Sequence, residues 1–149
     1  MQRILSCSLD GCIHMHEMDG LTYKEGKTFN LHQKGINSFV YSVKWKIIAS
    51  CGEERFICVW CPITLSCLSY LRGHVTSVQD LAINDEKSHL ISLGSDKHVK
   101  IWFLETYNCV FDISDNVKPE YQLSSLLFCN KQNTIILGSR KVNFWPFRT

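Results

Sequence analysis

Short stretches of alternating apolar and polar residues recur along the chain, and each of them ends in a ring-bearing side chain. Three end at Trp60, Trp102 and Trp145, which are 42 and 43 residues apart. Alternation with a period of two predicts strands with one buried face. A step of 44 residues back from Trp60 reaches His16, at the end of a fourth stretch of the same kind. The pattern therefore predicts an all-β chain with a repeat of 42 to 44 residues.

The alternation, together with the turn residues between the stretches, predicts fourteen strands and no helix. The repeat units are predicted at residues 1–31, 32–71, 72–113 and 114–149. The predicted strands are 3–8, 11–16, 27–31, 36–42, 46–51, 56–60, 65–71, 77–83, 88–93, 98–102, 107–113, 122–128, 133–138 and 141–145.

Polar residues keep the same register in the two central units. In both units a histidine, a serine and an acidic residue precede the tryptophan by 28, 10 and 6 residues. The two sets are His32, Ser50, Glu54 and Trp60 in the second unit, and His74, Ser92, Asp96 and Trp102 in the third. Agreement at three offsets makes the repeat unlikely to arise by chance.

A period of this length with a Gly-His and Trp signature is typical of propeller blades. On Gly73, His74, Ser92, Asp96 and Trp102, the sequence resembles the WD-repeat family. The resemblance implies β-propeller blades. It also implies that each polar set, called here the structural tetrad, forms a hydrogen-bond chain that ties the strands of one blade together. Such a chain rigidifies a blade when its members satisfy one another.

Two departures from the family pattern limit what the resemblance implies. The second unit has Glu54 where the family has Asp, so the tetrad is complete only in the third unit. The tryptophans are followed by Cys61, Phe103 and Pro146, so the Trp-Asp dipeptide is absent. A Trp-Asp-x-Arg box that docks on a ubiquitin-ligase adaptor is therefore not expected.

Fourteen strands make about three and a half blades, whereas closed propellers have roughly four to eight. We expect an incomplete ring that lacks an inner strand at the start and an outer strand at the end. Two copies of such a piece do not tile into a closed ring. The chain is therefore expected to be a segment or short isoform of a longer WD-repeat protein, with 1–149 as one partial propeller domain.

A narrower resemblance lies in residues 34–39, 59–62 and 138–146. These stretches resemble a group of long WD-repeat proteins that includes WD repeat-containing proteins 64 and 49. That group is linked to testis and motile cilia, so the resemblance implies a ciliary or axonemal location.

Net charge, apolar runs and cysteine content limit which classes of partner and which cellular compartment we expect. The formal net charge is +2 and the basic residues are not clustered, so nucleic acid is not an expected partner. No apolar run is long enough to cross a bilayer, and the first residues lack a signal-peptide core, so no membrane partner is expected. The eight cysteines are expected to be thiols in the cytoplasm.

Two groups of metal-ligating residue types stand out, and neither predicts a metal site. Cys58, Cys61 and Cys67 resemble half of a zinc site, but a second close pair is missing. His14 and His16 share one strand face without a third placed ligand. We therefore expect no metal and no cofactor.

His74, Asp96 and Ser92 are also the residue types of a hydrolase triad. The sequence has no nucleophile elbow and no phosphate-binding loop, so the chain is not expected to be an enzyme. The expected function is a non-catalytic scaffold that binds other proteins or peptides. The alternatives are a truncated product without independent activity and a metal- or thiol-dependent enzyme.

In propellers, the loops before the first strand and between the second and third strands open on the same side. The residues expected at that side are Lys34, Glu53, Thr76 and Ser95. They are candidates for partner contact, because exposed loops on a rigid scaffold often carry recognition.

Open blade faces and unpaired strand edges favour self-association. The chain expressed alone is therefore expected to be poorly soluble or associated, which light scattering measures directly. A single monomeric species that melts cooperatively would contradict this expectation.

Overall fold

The computed structural model describes residues 2–114, 122–139 and 142–146. Within them the chain forms fourteen strands, and its only helical segment is a short 3-10 turn, Asn130–Gln132. The strands are β1 (Gln2–Cys7), β2 (Cys12–Asp19), β3 (Thr22–Asn30), β4 (Ile36–Ser42), β5 (Ile47–Gly52), β6 (Phe56–Cys61), β7 (Ser66–Arg72), β8 (Val78–Asn84), β9 (His89–Gly94), β10 (Val99–Phe103), β11 (Asn108–Ile113), β12 (Ser125–Cys129), β13 (Thr134–Gly138) and β14 (Val142–Pro146).

The strands form four antiparallel sheets in chain order, with no strand exchanged between sheets. The first sheet is β1-β2-β3, the second β4-β5-β6-β7, the third β8-β9-β10-β11 and the fourth β12-β13-β14. The sheets are blades of an incomplete propeller, so the predicted fold class is confirmed. We call them blades 1 to 4.

Strand bounds differ most from the prediction in blade 1. Strand β3 begins at Thr22 rather than at residue 27, because β2 continues to Asp19 and the two strands close a tight hairpin. Gly20 at φ +63° gives the turn its left-handed backbone, and the Thr22 hydroxyl donates to the Asp19 carbonyl over 2.7 Å. The pairing of β2 with β3 shifts register between Met15 and Glu17, which places His16 at a bulge.

Three apolar clusters hold the blades together, and each cluster is shared by two neighbouring blades. Blades 1 and 2 share the first, blades 2 and 3 the second, and blades 3 and 4 the third. Alternation within one strand serves two clusters: Ile48 in β5 faces blade 1, whereas Ile47 and Ala49 face blade 3. Strand β5 is consequently buried at every position.

Hydrogen bonds between blades fix how neighbouring sheets align. The Ser42 hydroxyl and the Val43 backbone N–H both donate to the Asp85 carboxylate, over 2.5 and 3.0 Å. The Leu126 N–H of blade 4 donates to Asp80 of blade 3 over 2.7 Å. These contacts cross from one blade to the next, so they add direction to the non-directional packing of the apolar clusters.

Loops at one end of the sheets form a connected rim, called here the upper edge. It comprises residues 8–11, 31–35, 52–55, 73–77 and 94–98. Backbone hydrogen bonds join these loops in pairs: Ile36 N to Ser8 O at 3.1 Å, Glu53 N to Gly35 O at 3.0 Å and Ser95 N to Ser77 O at 2.9 Å.

In the described part of the chain, no helix is long and apolar enough to span a bilayer.

Candidate functional site

The tetrad of blade 2 links loop to strand through a histidine and a glutamate. His32 Nε2 lies 2.9 Å from the Ser50 hydroxyl, and His32 Nδ1 lies 3.0 Å from Glu54 Oε2. The other carboxylate oxygen of Glu54 accepts the backbone N–H groups of Gln33 and Lys34, each at 2.8 Å. Glu54 therefore fixes the loop that precedes β4.

The electrostatics of Glu54 favour its ionised form. Burial acts to raise the pKa of this carboxyl, but the Lys34 N–H and the His32 side chain outweigh burial and hold the pKa below its ordinary value. Trp60, the last member of this tetrad, packs against Phe29 of blade 1 with ring centroids 4.5 Å apart. Its buried indole N–H has no hydrogen-bond partner among the described residues, so it does not reach Ser50.

The tetrad of blade 3 is linked differently. The Ser92 hydroxyl lies 2.7 Å from His74 Nε2 and accepts the Trp102 indole N–H over 2.9 Å. The Asp96 carboxylate accepts the backbone N–H of His98 at 3.2 Å. Within the described structure His74 Nδ1 has no hydrogen-bond partner. The structure thus differs from the hydrogen-bond chain expected of a complete tetrad.

The acidic residue is bonded differently in the two tetrads. Glu54 contacts both the histidine ring and the loop backbone. Asp96 instead closes a local turn with the residue two positions later. Each blade consequently forms part of the chain: His–Glu and His–Ser in blade 2, and His–Ser and Ser–Trp in blade 3.

His74 is neutral at physiological pH. The pKa of the imidazole is lowered from 6.5 to about 4, mainly by burial and in smaller part by the nearby positive charge of Lys100. A histidine with this pKa, hydrogen-bonded to Ser92 and packed 6.1 Å from the Trp102 ring, has the surroundings of a structural group.

The four candidate contact residues all lie at the upper edge. Lys34, Glu53 and Ser95 are exposed and Thr76 is half-buried. The Thr76 hydroxyl accepts the Asp96 backbone N–H at 3.3 Å, and the Ser95 hydroxyl lies 3.0 Å from that of Ser77. The rim is thus held by local hydrogen bonds while it presents side chains to solvent.

The residues considered as metal ligands come together at most in pairs, Cys58 with Cys67 and His14 with His16. Cys58 is buried, and burial raises the pKa of its thiol to about 12; Cys67 packs against the same apolar cluster. Cys61 follows at a strand position that faces the other side of the sheet. His14 and His16 stack with centroids 6.2 Å apart, and His14 Nδ1 lies 3.0 Å from the Thr28 hydroxyl. Within the described residues, no three histidine, cysteine or acidic side chains cluster as metal ligands do.

A cleft that sequence reasoning missed opens beside the blade 2 tetrad. Its volume is about 320 Å³. Its lining residues are Leu31, Gln33, Glu54, Phe56, Tyr70 and Arg72. A sequence signal existed, because positions 56 and 70 are aromatic in the second unit, whereas the same register positions in the third are His98 and Asp112.

Comparison with known families identifies the repeats seen in the sheets. The model of the WD domain, G-beta repeat, matches residues 23–61 and 65–102. The chain belongs to the WD40 family. WD40 domains mediate protein–protein interactions and are in general non-catalytic scaffolds.

Several WD-repeat relatives are similar to this chain at low identity. Cilia- and flagella-associated protein 337 B of Tetrahymena thermophila is 24% identical over 99% of this chain. Human pre-mRNA-processing factor 17 is 25% identical over 87% of the chain, and the ribosome biogenesis protein WDR12 homolog of Trichoplax adhaerens is 28% identical over 66%. The chain spans only 12%, 23% and 24% of the lengths of these relatives.

Replacement of the two tetrad serines should have unequal effects on stability. Ser92→Ala removes the partner of two buried groups, His74 and Trp102, whereas Ser50→Ala removes the partner of His32 alone. We expect a loss of about 2 to 4 kcal/mol for Ser92→Ala and about 1 to 2 kcal/mol for Ser50→Ala. Urea unfolding followed by tryptophan fluorescence measures both. Equal losses would show that the Trp102–Ser92 hydrogen bond adds nothing.

His74 should make stability depend on pH. Its folded pKa lies below its unfolded value, so its contribution is fully present above pH 6.5 and is lost as the pH falls towards 4. Between pH 7 and pH 5 the loss should be about 2 kcal/mol. The His74→Gln variant should lack this part of the pH dependence while it remains less stable at pH 7. Identical pH profiles for the two proteins would contradict the role given to His74.

Proposed function

We propose that the chain is a non-catalytic scaffold that binds proteins or peptides through its upper edge. The observation that carries the proposal is the way Glu54 holds the loop of blade 2. Two hydrogen bonds from Glu54 fix the backbone of that loop and a third holds the His32 side chain, while the Lys34 and Glu53 side chains stay exposed. Side chains on pre-ordered loops lose less conformational entropy when they bind a partner. Lys34, Glu53, Thr76 and Ser95 are the proposed contact residues.

The tetrads serve this scaffold in a structural role in our proposal. Asp96 closes a local turn, and the other members of both sets join loops to strands, join strands to one another or pack between blades: His32, Ser50, Glu54, Trp60, His74, Ser92 and Trp102. Geometry supports this over catalysis, because Ser92 shares its hydroxyl with a buried indole N–H and a buried histidine. A nucleophile needs access to substrate, and Ser92 is fully buried.

We further propose that the chain is a segment or short isoform of a longer WD-repeat protein of the group that includes WD repeat-containing proteins 64 and 49. The support is its similarity, along nearly its whole length, to a small part of a cilia- and flagella-associated protein. The proposed location is the cytoplasm, and the cilium in cells that have one. We expect self-association of the isolated chain, in which outer blade faces are uncovered, and not of a parent protein that covers them.

Site-specific photo-cross-linking in ciliated cells tests this function. A photoreactive amino acid replaces Lys34 or Ser95 in the complete parent protein, which carries a fluorescent tag. Cross-links to one reproducible set of proteins are expected at both positions, because both lie on one rim. The matched control position is Lys46, an exposed residue of the turn at the opposite end of the sheets, where these cross-links should be absent.

Two results would contradict the proposal. Equal cross-linking from Lys46 would show that the upper edge is not the contact surface. Accumulation of the tagged protein in the nucleus would contradict the proposed location.

A further inference from the structure

We propose that the cleft beside the blade 2 tetrad binds an acidic side chain of a partner peptide, with Arg72 as the residue that recognises the carboxylate. The inference rests on the proposed scaffold function and gives one of its contacts a chemistry. The site lies where the loop from blade 1 meets the outer strands of blade 2.

The Arg72 side chain is held in place without being neutralised. Its guanidinium carbon lies 5.3 Å from the centre of the Phe56 ring and 5.6 Å from that of Tyr70. The two rings meet edge to face with centroids 5.2 Å apart. Cation–π contact orients a guanidinium but leaves its N–H donors and its charge available. Arg72 is exposed and has no ion-pair partner in the described part of the chain.

Glu54 lines the same cleft as a carboxylate, but it forms no ion pair with Arg72. One of its oxygens accepts two backbone N–H groups and the other faces His32 at 3.0 Å. Its side chain is only 10% exposed. The acceptors of Glu54 are therefore engaged on the loop side, which leaves the N–H donors of Arg72 for another carboxylate.

Blade 3 shows that the fold does not require this arrangement. At the corresponding positions, His98 Nδ1 lies 2.8 Å from Asp112 Oδ1, and Lys100 pairs with the other oxygen of Asp112. Those charges satisfy one another across β10 and β11. The same framework in blade 2 carries two aromatic rings and an unpaired arginine instead. The stacked guanidinium, unlike the paired charges of blade 3, is available to an external carboxylate.

Size and lining also suit an acidic residue with an apolar neighbour. A volume of about 320 Å³ accommodates roughly one or two side chains. Leu31 and the Phe56 ring supply apolar surface, and Gln33 supplies an amide that can donate a hydrogen bond. An arginine fork binds a carboxylate through two parallel hydrogen bonds. The occupant we infer is a glutamate side chain next to an apolar residue in an extended peptide.

Peptide binding to the full chain tests the inference by fluorescence anisotropy. The probes are labelled nonapeptides with a central glutamate flanked by leucine or phenylalanine, and matched peptides with glutamine at the centre. We expect the glutamate peptides to bind about tenfold more tightly, and Arg72→Gln to abolish this preference. Arg72→Lys should restore part of it, because lysine keeps the charge but not the fork.

The matched control is Arg55→Gln, which removes an exposed positive charge of the neighbouring turn that does not line the cleft. It should change the affinity by less than about twofold. Circular dichroism and thermal melting confirm that each variant is folded. Equal binding of the glutamate and glutamine peptides, or an equal effect of Arg55→Gln, would overturn the inference. A requirement for phosphoserine in place of glutamate would also overturn it.

Failure here is distinguishable from failure of the scaffold function. If upper-edge cross-links persist in the Arg72→Gln parent while the peptides show no glutamate preference, only the inference fails. If both the cross-links and peptide binding are absent, the scaffold function fails as well.

Discussion

Burial of sheet faces against neighbouring sheets is the constraint on which the rest of the structure depends. Among the described residues, each of the three apolar clusters draws its members from two blades, so a sheet buries its apolar faces against its neighbours. A strand such as β5, buried along its whole length, is stable only between two other sheets. The hydrogen bonds that cross between blades, and the loops of the upper edge, take their positions from this stacking.

Within that framework the polar sets have diverged while the apolar pattern is kept. Glu54 links its histidine to a loop backbone, and Asp96 does not reach its histidine. Ser92 serves two buried partners where Ser50 serves one. In the part of the chain that the structure describes, each set leaves one buried nitrogen unpaired, Trp60 Nε1 in blade 2 and His74 Nδ1 in blade 3, and an unpaired buried group costs free energy. The outer positions have diverged further, towards ion pairs in blade 3 and aromatic rings with an arginine in blade 2.

Period-two alternation and the spacing of the tryptophans suffice to predict the fold class and most strand bounds. The sequence pattern does not predict the start of β3 at Thr22, because the turn at Gly20 depends on backbone conformation rather than on an apolar pattern. The absence of an Asp96–His74 hydrogen bond is not predicted, because residue identity does not decide whether an aspartate bonds the histidine or the backbone of its own turn. The cleft is not predicted because its residues come from two loops and two strands that meet only after the sheets form. Residues 1, 115–121, 140–141 and 147–149, which include part of the loop expected between the third and fourth units, lie outside the described structure.

The shared clusters also bear on the cleft. Blade 1 is joined to blade 2 through one cluster, and Leu31 and Phe56, which line the cleft, pack against that same cluster. A ligand held there would lie across the junction between two cooperative units. If the ligand binds more weakly when blade 1 is detached from blade 2, then by thermodynamic linkage the bound ligand stabilises the docked blades by the same free energy. Occupancy of the cleft and local opening of blade 1 are therefore coupled: a bound ligand lowers the population of the opened state.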